Sequence, residues 1–195
     1  VTSELPIFPL NAVLFPGGRL AVRVFEKRYV DMVTRCMKSD RPFGVCLIKK
    51  GEEVGAAAEP HPIGTLVQVA HCDMDQPGIL EVVARGTGRI RLNGTHTQPD
   101  QLVLAEVETL PEGEVPVPER HGRLVEVLKQ VLKQVGDEAW FPPARFDDAG
   151  WLAGRLTELL PLPLGLKQAL LELDDPVARL DVLAELFPTP PGGNA

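Results

Sequence analysis

The chain lacks a basic excess: 20 Lys plus Arg stand against 27 Asp plus Glu, a net charge of −7 over 195 residues. With no general positive field to collect phosphates, nucleic acid is not an expected partner. Serine is scarce as well. Ser3 and Ser39 are the only two, and neither has the G-x-S-x-G context of an activated nucleophile. No G-x-x-x-x-G-K-[ST] run occurs, and Gly86-Thr87-Gly88 lacks the third glycine of a dinucleotide fingerprint because Arg91 stands in its place. ATP and dinucleotides are without support, and no cofactor is expected. His61, His71, His96 and His121 show no H-x-x-x-H or H-E-x-x-H spacing, so no metal is expected either. Cys36, Cys46 and Cys72 form an odd set with no C-x-x-C pair, which suits buried thiols in a reducing, cytoplasmic setting. Long apolar runs are missing too, since Leu159 to Leu166 is broken by Pro161 and Pro163. The opening Leu5 to Gly18 holds three prolines with no basic residue ahead of it, and reads as neither a signal peptide nor a span. The expectation is a soluble, unexported chain with no membrane partner.

What is present suits a globular α+β protein, with 44% hydrophobic and 24% charged residues. Its length allows one to two domains. The chain changes character at the Pro- and Glu-rich segment 111–119. Before it, β-branched runs at period two predict strands over Ile7–Leu10, Leu20–Phe25, Phe43–Lys49, Thr65–Cys72, Leu80–Leu92 and Leu102–Leu110. Six such strands imply a curled antiparallel sheet or small pseudo-barrel. One helix interrupts them, with Tyr29, Val33, Cys36 and Met37 on its apolar face. After the segment the period becomes 3.6. Helices are expected from Leu124 to Val135 with Gly136 as the C-terminal stop, Ala149 to Leu160, Gly165 to Leu173, and onward from an Asp175 cap with Pro176 at the first turn. The expected division is therefore a β-rich lobe over 1–112, a bundle of about four helices over 113–187, and a disordered tail over 188–195.

Several constellations have a bland reading beside a chemical one. Asp73 to Gly78 mimics the first half of a calcium loop, but its twelfth position is Ala84, and a hairpin turn accounts for the same residues. Asp147-Asp148 and Asp174-Asp175 sit where helices begin and read as caps. Arg85, Arg89 and Arg91 fall on one strand face unless Gly86 to Gly88 bulges. They form either a basic stripe for an acidic segment or a solvated face balanced by Glu81, Glu106 and Glu108.

The most distinctive pattern is the opening: Leu5-Pro-Ile-Phe-Pro-Leu10, then Val13-Leu-Phe-Pro-Gly17, then Val24-Phe-Glu-Lys-Arg-Tyr29. In this order it resembles the amino-terminal substrate-binding domain of the ATP-dependent Lon protease, shared with cereblon-type adaptors, with Val24 where the family has Ile. Phe43-Gly44-Val45, Ile63-Gly64-Thr65, Gly86 to Arg89, Leu159-Leu-Pro161 and Arg179-Leu180 extend the resemblance from residue 5 to about 187. Neither a Walker motif nor a Ser–Lys dyad carries over. The resemblance implies a stand-alone, non-catalytic, ATP-independent polypeptide-binding domain. Its partners would be unfolded or exposed segments, with a protease or chaperone as a further partner. The same motifs also have structural readings: Phe8, Phe15 and Phe25 as core, and Glu26 and Arg28 as residues that orient a helix.

Two surfaces are candidates for the polypeptide. One is the turn from Phe15 and Pro16 to Leu20. The other is a cleft near Trp140 and Phe141, two aromatics that can anchor a peptide or instead pin their loop onto the β-rich part. Alternatives from other classes are a small-molecule or hydrolytic site at the barrel mouth using His71, Cys72 and Asp73, and a self-associating scaffold, weakly homo-oligomeric.

Overall fold

The structure is a computed structural model describing residues 3–187; the tail expected to be disordered lies outside the described residues. The order is β1 (Ser3–Leu10), β2 (Arg19–Val24), α1 (Lys27–Ser39), β3 (Phe43–Lys50), β4 (Glu59–Pro60), β5 (Ile63–Gln76), β6 (Ile79–Thr97) and β7 (Val103–Thr109). Helices α2 (Gly122–Val135), α3 (Ala149–Leu159), α4 (Leu164–Glu172) and α5 (Pro176–Glu185) follow. The strands make one seven-stranded sheet, antiparallel except where β1 runs parallel to β3. It curls until it closes, because β1 pairs with both β7 and β3, while β3, β5, β6 and β7 complete the ring.

The long strand β6 makes this closure workable. Its first half, Leu80 to Arg85, pairs with β2, and its second, Ile90 to Thr97, pairs with β7. Between them the register against β5 shifts, with Leu66 opposite Gly88 and Val67 opposite Gly86, so Thr87 is an extra, bulged residue. Bulges bend and twist a strand. Gly86 is obligatory there: a Cβ would be driven into the Phe15 carbonyl oxygen. The β5–β6 hairpin turns at Gly78, whose φ is +81°, so the acid-rich Asp73 to Gly78 segment is hairpin.

Inside the curl, Phe8 stacks on Tyr29 with ring centroids 4.3 Å apart, beside Met32, Val33, Phe43 and Val45. α1 packs there through Tyr29, Met32, Val33 and Cys36, whereas Met37, expected on the same face, is 46% exposed. Phe25, expected in the core, is 56% exposed. Alternation explains it: Val24 is buried at the end of β2, so its neighbour must face outward.

α3 is the central element of the helical half, buried at Ala149 and continuously from Trp151 to Thr157. A helix buried on all sides is apolar all round, as this one is apart from Arg155 and Thr157. Asp148 caps it by accepting from the Gly150 N–H at 2.9 Å, and Asp175 caps α5 through the Val177 N–H at 2.8 Å. Asp174 has a different task, because it pairs with Arg89 at 3.0 Å. Arg89 is thus not on a solvated face. It is 1% exposed, bound also to Glu112 and to the Leu171 and Leu173 carbonyls at 2.9 and 3.3 Å at the end of α4. Arg85 and Arg91 remain outside, Arg91 opposite Glu108 at 3.5 Å. Phe15, Ile63 and Leu110 from the strand half join the core of the helices, so the two halves share buried surface.

Candidate functional site

Residues 14–18 are held from several sides. Thr65 Oγ1 donates to the Leu14 carbonyl at 2.5 Å, the Gly17 N–H to the Gly86 carbonyl at 2.8 Å, and the Gly86 N–H to the Gly18 carbonyl at 3.0 Å. Gly17 sits at φ +78°, and a Cβ there would come within 3.2 Å of the Trp151 ring, so glycine is needed for both backbone and space. The Phe15 ring packs on Gly154 of α3 and under the Arg179 guanidinium, 5.8 Å from its centroid.

Beneath this turn lies a buried carboxylate. Glu158 accepts from the Phe15 N–H at 2.6 Å, and its other oxygen meets Arg155 Nη2 at 2.8 Å. Arg155 also donates to the Pro16 carbonyl at 3.3 Å. Burial pushes the Glu158 carboxyl up to about 7, outweighing Arg155, the Phe15 N–H and Lys167. Burial pushes Arg155 and Lys167 down.

The loop between α2 and α3 closes the other side. Trp140 and Phe146 meet Trp151 edge-on at 6.1 and 5.6 Å. Arg85 of β6 lies over the Phe141 ring at 5.0 Å and donates to the Pro142 carbonyl at 3.4 Å. Arg145 bonds Glu114 at 3.0 Å and also pairs with Asp148.

Between turn and loop runs a cleft of ≈ 460 Å³, lined by Pro16, Gly17, the β6 bulge, residues 112–114, Pro143, Arg145 and Trp151. The lining takes Pro16 from one candidate surface, while Trp140 and Phe141 of the other stay outside it and only Pro143 and Arg145 of their loop contribute. Pro16 lies on the rim, and the loop carrying Trp140 and Phe141 forms the far side. Phe15 and Leu20 are buried at 1% and 9%, so their side chains support the surface from below. Trp140 and Phe141 are half-buried and engaged with Trp151 and Arg85. The charged groups of the cleft are engaged with protein partners: Glu114 and Asp148 both meet Arg145 Nη2, and Glu112 pairs with the buried Arg89.

A smaller groove of ≈ 200 Å³ lies between the end of β1 and β2, with Phe8, Leu10, Val22 and Val24 in its lining and the exposed Phe25 and Val54 beside them. Sequence reasoning misses it because it places Phe25 inward; the parity of Val22 and Val24 is the available signal.

At the barrel mouth, His71 Nε2 meets Asp73 Oδ2 at 2.7 Å, with both side chains exposed. Cys72 lies on the opposite face of β5 against the core, and burial followed by the Asp73 charge pushes its thiol up. The three groups do not converge. Cys36 and Cys46 are buried and free, and burial pushes Cys46 up to about 12.

Known proteins share this architecture. The crystal structure of a Lon N-terminal domain protein from Xanthomonas campestris superposes with a TM-score of 0.79 at 36% identity, covering 95% of this chain and 99% of that one. The Lon protease of Syntrophomonas wolfei is 25% identical over 192 residues, which is 94% of this chain and 24% of that protein. Protein cereblon of Xenopus tropicalis is 30% identical over 120 residues, 60% of this chain and 26% of that protein. The chain thus spans about a quarter of the length of the curated relatives it matches. The profile of the ATP-dependent protease La (LON) substrate-binding domain matches residues 4–187, and the chain belongs to that family.

Proposed function

We propose that this chain is a non-catalytic, ATP-independent receptor for unfolded or exposed polypeptide segments, which it takes along the cleft between the Pro16 turn and the Phe141 loop. The observation that carries the reading is the cleft: Pro16, Pro143 and Trp151 stand in its lining, and the charged residues beside them are already engaged with protein partners. Such a surface suits apolar contact with an extended chain more than capture of a charged small molecule. Pro16, Trp140 and Phe141 make the contact, with Phe15 and Leu20 supporting the turn. Membership of a substrate-binding family supports the same class of partner.

In this reading residues 1–112 act as a β-rich lobe and 113–187 as a helical-bundle lobe, with the cleft at their seam. A protease or chaperone would consume or receive the bound segment. Three free cysteines favour a cytoplasmic setting. No described helix is long and apolar enough to cross a membrane.

The test is fluorescence anisotropy with labelled, unfolded polypeptides, comparing the wild type with Pro16→Glu and Phe141→Ser. Both positions are half-buried, so a retained cooperative unfolding transition serves as the control for fold. Weakened binding in variants that still unfold cooperatively well above the assay temperature supports the cleft. Unchanged binding in both variants removes the cleft from the account, and dimerisation without polypeptide affinity replaces the receptor by a scaffold.

A further inference from the structure

β2 is a strand with one partner. Its residues Arg19 to Val24 pair with β6, and no other described strand pairs with it. β1 has a matching gap at its end, where it pairs with β7 only as far as Ile7, leaving Phe8 to Leu10 with β3 alone. Free edges leave alternate N–H and C=O groups directed away from the sheet, a template for another strand.

Both strands contribute to the ≈ 200 Å³ groove, β1 through Phe8 and Leu10 and β2 through Val22 and Val24. Phe25 and Val54, 56% and 55% exposed, extend its apolar surface. The charged groups of the lining are engaged already. Glu26 pairs with Arg28 at 2.8 Å, Glu53 accepts from the Asn11 N–H at 2.6 Å, and Arg23 lies 3.6 Å from Glu81. What the groove offers is apolar contact for side chains and hydrogen bonds for a backbone.

We propose that an extended polypeptide segment adds along the free edge of β2 and sets apolar side chains at alternate positions into this groove. The inference rests on the reading that the chain binds polypeptide, but it uses a surface separate from the cleft. Size argues against a second copy as occupant: a groove of ≈ 200 Å³ accepts few side chains, whereas a stable dimer buries about 800 Å² per partner. Charge argues the same way, since two copies at −7 repel, and it favours basic flanks on the bound segment.

The probes are short fluorescein-labelled peptides with Val or Phe at alternate positions and Lys at both ends. Each is also made with Glu ends, and with N-methyl groups on alternate backbone amides in either register. The expected results are saturable binding of the Lys-ended peptides, a loss of roughly tenfold or more on methylation in one register only, and weaker binding with Glu ends. Amide exchange across residues 19–24 slows in the complex. Phe25→Ser and Val54→Asp weaken binding with no change in unfolding temperature, while Pro16→Glu leaves these peptides unaffected. Binding indifferent to methylation register, or lost in Pro16→Glu and retained in both groove variants, overturns the added strand and leaves the cleft reading standing. Binding of unfolded polypeptides without binding of these peptides likewise overturns the added strand alone. Failure to bind either kind overturns both.

Discussion

The Phe15 backbone N–H donates to the buried Glu158 carboxylate at 2.6 Å, joining the turn that follows β1 to the last turn of α3 across 143 positions of sequence. Burial of that carboxyl, against the opposing pull of Arg155 and the Phe15 N–H, makes stability depend on pH in a defined direction. Glu158 has its carboxyl pushed from 4.5 up to about 7, so the folded chain holds a proton that the unfolded chain releases in that interval. Its contribution is full below pH ~4.5 and is lost as pH rises through about 7. Relative to Glu158→Gln, the wild type should lose up to about 3 kcal/mol between pH 4.5 and 8. Urea unfolding of both proteins across that range measures it; a pH-independent difference contradicts it.

Gly86 should be intolerant of any side chain. Gly86→Ala forces a methyl group against the Phe15 carbonyl oxygen, which cannot retreat because the Gly18 N–H is bonded to it at 2.9 Å. The expected cost is about 1–3 kcal/mol, as for other overpacked sites. Gly94→Ala, on the same strand with nothing within 4 Å of its Cβ, is the control and should change stability little. Equal effects in the two variants would remove the steric argument.

Arg89 and Arg91 are two residues apart on β6 and should differ sharply. Arg89→Ala strips hydrogen bonds from the carbonyl end of α4 and takes a buried cation from Glu112 and Asp174, at a cost of about 1–3 kcal/mol. Arg91→Ala removes an exposed pair with Glu108 and should cost less than about 1 kcal/mol. Thermal unfolding separates the two, and similar midpoints would mean that Arg89 does not clamp the strand half to α4.

Periodicity makes the main elements legible. All six expected strands and all five helices occur, and Asp175 with Pro176 starts α5 as its capping chemistry implies. The two-residue β4 offers no period to detect, and the outer ends of β5 and β6 are polar, so they carry little apolar alternation. Phe25 is misread from sequence because its aromatic character outweighs the parity set by Val24. Arg89 is illegible for a different reason: its surroundings come from Glu112 and from residues more than 80 positions away, which no local spacing encodes. The cleft shares that origin. Pro16 and the Phe141 loop are each marked in the sequence, but only tertiary folding places them on opposite sides of one surface.

Phe141 and Arg85 should be energetically coupled across that surface. A double-mutant cycle with Phe141→Ala and Arg85→Ala is expected to give about 0.5–1 kcal/mol, the range of an exposed cation–π contact. Additive effects would mean that the Phe141 ring does not help to hold the loop, leaving that to Trp140, Phe146 and Arg145.

The receptor reading itself is tested most directly by presenting one polypeptide in two states, native and permanently unfolded by reduction and alkylation, and titrating each with this chain. The account predicts saturable binding of the unfolded form in the micromolar range and none of the native form. Equal affinity for both, or affinity for neither across several such polypeptides, would contradict it.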